Sequence, residues 1–288
     1  MKEYKTILNI ILTLLITTSS GITQKLTLIA RTTKSVYLVG EPVWLKIILK
    51  NNSNITIKAP EHLWLASGID LSLLNSDSTR LDYKGIVSHS NSYEILIKGD
   101  STVKYFDLLN SYGEKEPLFS PRCSLNPGDY YLTATYDNFG IPIQSNKIMF
   151  TIRRPSGDQA KALKLFKEAY NNWLLKKDYD KAVELYKRLI NTYPNSVYVE
   201  LAYNEICLWN RLQLRNYSEV ISFAEELLNK HPQSPYLKRM IYNIAIAYKK
   251  LDKLDQLDAK LWYLEKKYGS INPTMKEKIE EVIESIRN

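Results

Sequence analysis

The sequence predicts a multidomain α and β chain, an N-terminal all-β sandwich followed by an all-α helical-hairpin solenoid. Three observations carry that prediction. Apolar and polar residues alternate with period two between turn signals from Lys25 to about Arg154. Beyond Pro155 the apolar period changes to 3.6. Within that second half a short phrase occurs twice, Tyr193-Pro194-Asn195-Ser196-Val197-Tyr198-Val199 and His231-Pro232-Gln233-Ser234-Pro235-Tyr236-Leu237, with 38 residues between the prolines. A fixed period of that size, filled by amphipathic helical patterns, is the signature of stacked helical units.

The chain opens on an export signal. Lys2 and Lys5 form the positive end, Ile7 to Ile16 an apolar run of ten residues, and Thr18, Ser19, Ser20 and Gly21 a small-residue region suited to cleavage. Ten residues fall short of the ~20 that span a bilayer. Residues 1–21 are therefore read as a signal peptide, with no transmembrane segment after cleavage. The expected location is periplasmic or secreted.

Residues 22–154 read as the β domain. In Val43 to Lys50, the residues Val43, Leu45, Ile47 and Leu49 share one side and Lys46 and Lys50 the other. Gly40-Glu41-Pro42 and Asn51-Asn52-Ser53-Asn54 bound the run with turn chemistry. Ile55–Lys58, Ile69–Leu74, Tyr93–Lys98, Thr102–Leu108, Tyr130–Tyr136 and Lys147–Arg153 follow the same pattern. Short strands at such spacing point to a sandwich rather than a βαβ fold. Leu125-Asn126-Pro127-Gly128-Asp129-Tyr130-Tyr131 resembles the entry to a late strand in bacterial immunoglobulin-like domains. That resemblance implies that Tyr130 or Tyr131 ties its hydroxyl back to the backbone.

Arg153-Arg154-Pro155-Ser156-Gly157-Asp158 closes the last strand, and Ser156 or Asp158 is placed to cap the next helix. Residues 158–270 then hold three helical pairs. Ala162, Leu165, Phe166, Ala169, Tyr170, Trp173 and Leu174 form the first stripe, with Lys176-Lys177-Asp178 as its turn. Tyr179, Ala182, Val183, Leu185, Tyr186, Leu189 and Ile190 form the second. The next pair turns at Arg215-Asn216 and the third near Asp252-Lys253. Ala182, Cys207, Ala224 and Ala245 are small positions where helices approach closely. Residues 272–288, with Met275, Ile279, Val282, Ile283 and Ile286 on one side, read as a C-terminal capping helix.

Lys177-Asp178-Tyr179-Asp180-Lys181-Ala182-Val183-Glu184-Leu185-Tyr186 followed by Pro194 resembles the second helix of a tetratricopeptide repeat, in the longer-period form seen in bacterial envelope proteins. Val220 and Leu257 depart from its second-helix alanine and Leu254 from its tyrosine. The resemblance implies a groove lined by the first helices of successive repeats. It places Lys167, Asn171 and Leu174 there from the first pair, Asn204, Leu208 and Arg211 from the second, and Arg239, Tyr242, Ile246 and Lys249 from the third. Some members of that family hold a peptide's terminal carboxylate with such cations and amides, although here the second-repeat asparagine of that clamp falls at Glu205, beside Asn204.

Composition narrows the classes. The net charge of +8 is spread evenly, 22 basic against 18 acidic residues from Pro155 onward and 17 against 13 before it. Without a basic run or a basic face interleaved with aromatics, a nucleic-acid partner is not expected. His62, His89 and His231 are scattered, and no phosphate loop, nucleophile elbow or metal-ligand spacing appears. The chain is thus expected to be no enzyme and to carry no catalytic residue, cofactor or metal. Its two cysteines, Cys123 and Cys207, fall in different halves and do not form a disulfide framework. The leading expectation is an exported scaffold binding a protein or peptide of the cell envelope. The alternative is a carbohydrate- or surface-binding protein in which the β half recognises and the helices serve as spacer.

Overall fold

A computed structural model describes residues 26–60, 69–82, 93–110, 114–115, 123–138 and 141–268. The expectations for the signal peptide, for His62 and His89, and for the capping helix at 272–288 lie outside the described residues. The chain divides into two compact units at Arg153/Arg154, with β sheets in the first and, among the described residues, six α-helices in the second.

In the first unit, strands β1 (Leu26–Thr32), β2 (Val36–Leu38), β3 (Trp44–Asn51), β4 (Ile57–Pro60), β5 (Ile69–Asn75), β6 (Tyr93–Leu96) and β7 (Ser101–Asp107) precede β8 (Glu114–Lys115), β9 (Cys123–Ser124), β10 (Gly128–Asn138), β11 (Ile141–Gln144) and β12 (Ile148–Arg153). One sheet runs β1-β3-β7 and is antiparallel throughout. A second runs β11-β10-β12-β2, with β5 also pairing β10 and β2 lying parallel to β12. Two short antiparallel pairs, β4-β6 and β8-β9, stand beside these sheets among the described residues. Period-two alternation decides which faces are buried. Leu28, Ala30, Leu45, Ile47 and Leu49 from the first sheet join Ile69, Leu71, Leu132, Ala134, Phe150 and Ile152 from the second in one apolar cluster.

Three details come from chemistry rather than pattern. The Tyr130 hydroxyl donates to the Asn126 carbonyl at 2.8 Å, and its ring stacks on Phe150 at 5.5 Å. Tyr131 instead lies under the Lys147 ammonium, so Tyr130 is the one that ties back. Asn51, read in the sequence as a turn residue, is fully buried at the end of β3. Its amide donates to the Ile55, Leu96 and Ile97 carbonyls at 2.8, 2.9 and 3.2 Å, while its oxygen accepts from the Ser53 amide and hydroxyl. One side chain thus satisfies the backbone of two neighbouring segments. Asn146 plays a similar part at the edge of β1, where its amide side chain exchanges two hydrogen bonds with Ala30.

In the second unit the helices are α1 (Gly157–Asn171), α2 (Tyr179–Thr192), α3 (Val199–Trp209), α4 (Tyr217–Lys230), α5 (Leu237–Lys250) and α6 (Leu254–Tyr268). Each packs on the next along the chain, and α3 also meets α5. Ser156 stands at the N-cap of α1, yet neither it nor Asp158 caps with its side chain; Asp158 pairs with Lys161 at 3.1 Å instead.

The turns within the pairs differ from the expected ones. After α1 and α3 the chain widens into a π turn, Asn172–Lys176 and Asn210–Leu214. The amides of Asn172 and Asn210 donate to carbonyls four residues back at 2.8 and 3.0 Å. Their own carbonyls accept the N–H groups of Asp178 and Asn216 at 3.0 and 2.9 Å. Lys177 and Arg215 then take left-handed conformations, φ 58° and 55°. Asp178 and Asn216 cap α2 and α4 by accepting from Lys181 N–H at 3.0 Å and Glu219 N–H at 3.4 Å.

The repeated phrase forms the joint between pairs. Tyr198 and Tyr236 stand at the N-caps of α3 and α5 and are buried. Ser196 and Ser234 do not cap the helices directly. Each hydroxyl accepts from the N–H of the tyrosine two residues on, at 3.3 and 3.2 Å. Each also reaches back to the preceding first helix, Ser196 to Gln159 at 3.0 Å and Ser234 to Glu200 at 2.6 Å.

Replacing Asn51 with Ala removes its amide from the Ile55, Leu96 and Ile97 carbonyls and its oxygen from the Ser53 amide and hydroxyl, and is expected to lower the unfolding free energy by about 1–3 kcal/mol. Urea unfolding followed by tryptophan fluorescence measures it, and Asn52→Ala, on an exposed neighbour, should change little.

Candidate partner-binding face of the first helices

The seven residues assigned from the sequence fall on α1, α3, the π turn after α3, and α5. Lys167 and Asn171 are exposed on α1, and Arg239, Tyr242 and Lys249 on α5. Leu174 is nearly buried, while Leu208 and Ile246 are half-buried. Asn204 is only 2 % exposed.

Two contacts join the second first helix to the third. The Asn204 oxygen accepts from an Arg239 Nη at 3.2 Å. The Arg211 guanidinium lies over the Tyr242 ring, 5.8 Å from its centroid. Four of the seven residues are thereby brought together.

Sequence reasoning misses part of this face. Glu205, only 8 % exposed, accepts from the Trp209 indole N–H at 3.1 Å and from the Asn204 amide at 3.3 Å. Trp209 in turn lies 4.3 Å from Trp173 and 5.7 Å from Tyr179, ring to ring. A carboxylate therefore occupies the place where the clamp resemblance requires an amide, and it repels a second carboxylate at that spot. The signal for the π turns was present, since Asn172-Trp-Leu-Leu-Lys-Lys-Asp-Tyr179 and Asn210-Arg-Leu-Gln-Leu-Arg-Asn-Tyr217 share Asn, Leu, a cation, Asp or Asn, and Tyr at a spacing of 38.

The same stretch carries buried polar atoms with no protein partner: Trp173 Nε1, Asn210 Oδ1 and Arg211 Nε.

Behind the face the chemistry is structural. Cys207 is fully buried, its sulfur 3.7 Å from the Val220 carbonyl, and burial pushes its thiol up to about 12. So high a value leaves almost no thiolate at neutral pH, and the cysteine acts as a small core residue. Tyr203 donates to Glu226 at 2.7 Å, and Lys230 donates to the same carboxylate at 2.7 Å. Burial, followed by that hydrogen bond, raises the Tyr203 hydroxyl above its ordinary value. Partial burial pulls Glu226 upward, but the hydrogen bonds from Lys230 and Tyr203 prevail and hold it below the usual carboxylate range. His231 places Nδ1 3.5 Å from Glu200. Among the described residues no group of three His, Cys, Asp or Glu side chains gathers as metal ligands would, and no helix is long and apolar enough to cross a membrane.

A tetratricopeptide repeat model matches residues 165–196, from within α1 to the serine of the first joint. No curated protein matches the chain. Solved structures with partial likeness include an alkylpurine DNA glycosylase, AlkC, from Pseudomonas fluorescens, at 11 % identity over 45 % of this chain and 30 % of that one, TM-score 0.26. The sporulation control protein Spo0M from Bacillus subtilis is 14 % identical over 51 % of this chain and 55 % of its own, TM-score 0.26. A β-glucosidase, EmGH1, from Erythrobacter marinus is 12 % identical over 44 % and 15 %, TM-score 0.26. The chain spans less than two thirds of each, and at this TM-score none of the likenesses bears on fold or function.

Because the Glu226 carboxylate titrates below its unfolded value, its contribution to stability is present above the ordinary glutamate range. It is lost as pH falls through the lower, folded value. Thermal unfolding of Glu226→Gln and the parent between pH 7 and pH 3 is expected to show the variant less stable at pH 7, with the gap closing at the acid end. A gap that widens on acidification contradicts this.

Proposed function

We propose that the chain is an exported, non-enzymatic scaffold that binds a protein or peptide of the cell envelope. On this reading residues 158–270 form a short solenoid of three tetratricopeptide-like repeats, and the β half is an immunoglobulin-like sandwich. The export part rests on the charged, apolar and small-residue order of residues 1–21. The binding part is supported by the repeat match over 165–196 and by the serial packing of the six helices.

The observation that carries the reading is two arginines each tied to a neighbouring repeat, Arg211 of the π turn on Tyr242 of α5 and Arg239 of α5 on Asn204 of α3. Tyr242 holds the Arg211 guanidinium by its face, which leaves the edge donors for a ligand. Arg239 spends one nitrogen on Asn204, and the rest of its fork remains a donor set. Such forks recognise carboxylate side chains and backbone carbonyls of an extended peptide.

Arg211→Glu with Arg239→Glu in the full chain is expected to weaken capture of the envelope partner at least tenfold, about 1.4 kcal/mol. Affinity capture from envelope extracts measures it, with unchanged circular dichroism showing that the helices persist. Capture that survives this reversal and is lost on truncating residues 22–154 assigns recognition to the β half instead.

A further inference from the structure

Charge in the helical unit gathers at one end of its helices. Consecutive helices pack on one another through short connections, so they alternate in direction. The turns inside the three pairs therefore lie at one end and the two joints at the other. Trp173 of the first π turn accordingly meets Trp209, the residue before the second. The turns, residues 175–178, 211–216 and 249–254, hold seven basic and two acidic residues. The joints, residues 193–199 and 231–237, hold no Lys, Arg, Asp or Glu. From Pro155 onward the chain carries 22 basic and 18 acidic residues, so without the turns the balance is 15 against 16. The turns account for the whole positive excess.

Two further observations mark the same turns. Each presents a leucine to solvent, Leu175 at 66 %, Leu212 at 48 % and Leu254 at 50 % exposed. Every other leucine beyond Pro155 is buried or half-buried, so these three do not reflect a general leak of apolar surface. The backbone supplies the second. Helices that end on a left-handed residue favour glycine there, yet Lys177 and Arg215 hold φ at 58° and 55°, and Asp252 holds 56° between Lys250 and Lys253. A strained position given to a cation in two successive turns points to a use for the charge.

We propose that the turn end of the helical unit docks on an anionic lipid surface. Leu175, Leu212 and Leu254 enter the boundary between headgroups and acyl chains, and Lys177, Arg215 and Lys253 meet the lipid phosphates. Lys176 is engaged elsewhere, its ammonium donating to Asn172 Oδ1 at 3.2 Å. Leucines displayed among cations select this partner. A nucleic acid or an acidic protein surface answers the charge but leaves the leucines in water. The headgroup boundary takes both, because apolar side chains sink below the phosphates while Lys and Arg stems reach up to them. The proposal goes beyond peptide binding by the first helices and does not depend on it. Lys177 and Arg215 lie outside that face, so lost vesicle binding with partner capture intact separates the two.

Flotation with lipid vesicles tests it, using the chain purified from the native organism. Phosphatidylglycerol mixed into phosphatidylcholine vesicles is expected to raise binding at least tenfold over phosphatidylcholine alone. Lys177→Gly with Arg215→Gly suits the left-handed backbone, and is expected to keep or raise the melting temperature while weakening vesicle binding at least tenfold. Leu175→Ser with Leu212→Ser is expected to weaken vesicle binding several-fold and to leave retention on soluble polyphosphate unchanged. Binding that ignores phosphatidylglycerol, or that survives the glycine pair, overturns the proposal. Serine variants that float as the parent does overturn it too, since the turns are then a site for soluble polyanions.

Discussion

The helical unit depends on one residue per first helix staying small. Ala169, Cys207 and Ala245 are spaced by 38 and have no exposed surface. At Cys207 the sulfur sits 3.7 Å from the Val220 backbone carbonyl of the second helix. A branched side chain there would push the second helix away and lose the close packing on which the pair relies. The buried thiol, held near 12, fits a residue kept for its size and not for reactivity. At the two joints among the described residues, Ser196 and Ser234 reach back to the first helix of the pair just completed. The pitch of the array is therefore fixed by packing and hydrogen bonds together.

That constraint also sets the chemistry of the candidate face. With small residues directed at the second helix, the first helices have their longer polar side chains left for the other side. There Arg239 meets Asn204, and Arg211 lies on Tyr242. The π turn after α3 contributes as well, because Arg211 is its second residue. Single-turn π segments occur often at functional positions. Here the turn sets a guanidinium against an aromatic ring on the next helix. The β unit follows a different logic, in which alternation builds the cluster and single amides such as Asn51 close the backbone where strands end.

Much of this was legible in the sequence. The strand runs at Val43–Lys50, Ile69–Leu74 and Lys147–Arg153 correspond to β3, β5 and β12 within a residue or two, since alternation with clear turn residues is a strong signal. Strands β2, β8, β9 and β11 were not legible. They are two to four residues long, too short for a period to show, and β2 forms only through β12, more than a hundred residues away. The 38-residue phrase located both joints but not the reach of their serines back to Gln159 and Glu200, which only the fold brings near. In the candidate face the cations were visible, and Glu205 was visible as a departure from the clamp pattern but not in its role. Its role depends on Trp209 and Asn204, a contact that only helix geometry brings about.

The central claim, that partners bind on the first helices, is tested most directly by a photoreactive amino acid at Tyr242, activated in the native organism. The exposed Met149 of the β unit serves as the matched site. The account predicts a covalent protein adduct from position 242 that is lost when Arg211 and Arg239 are reversed. Adducts formed only from position 149 would contradict it.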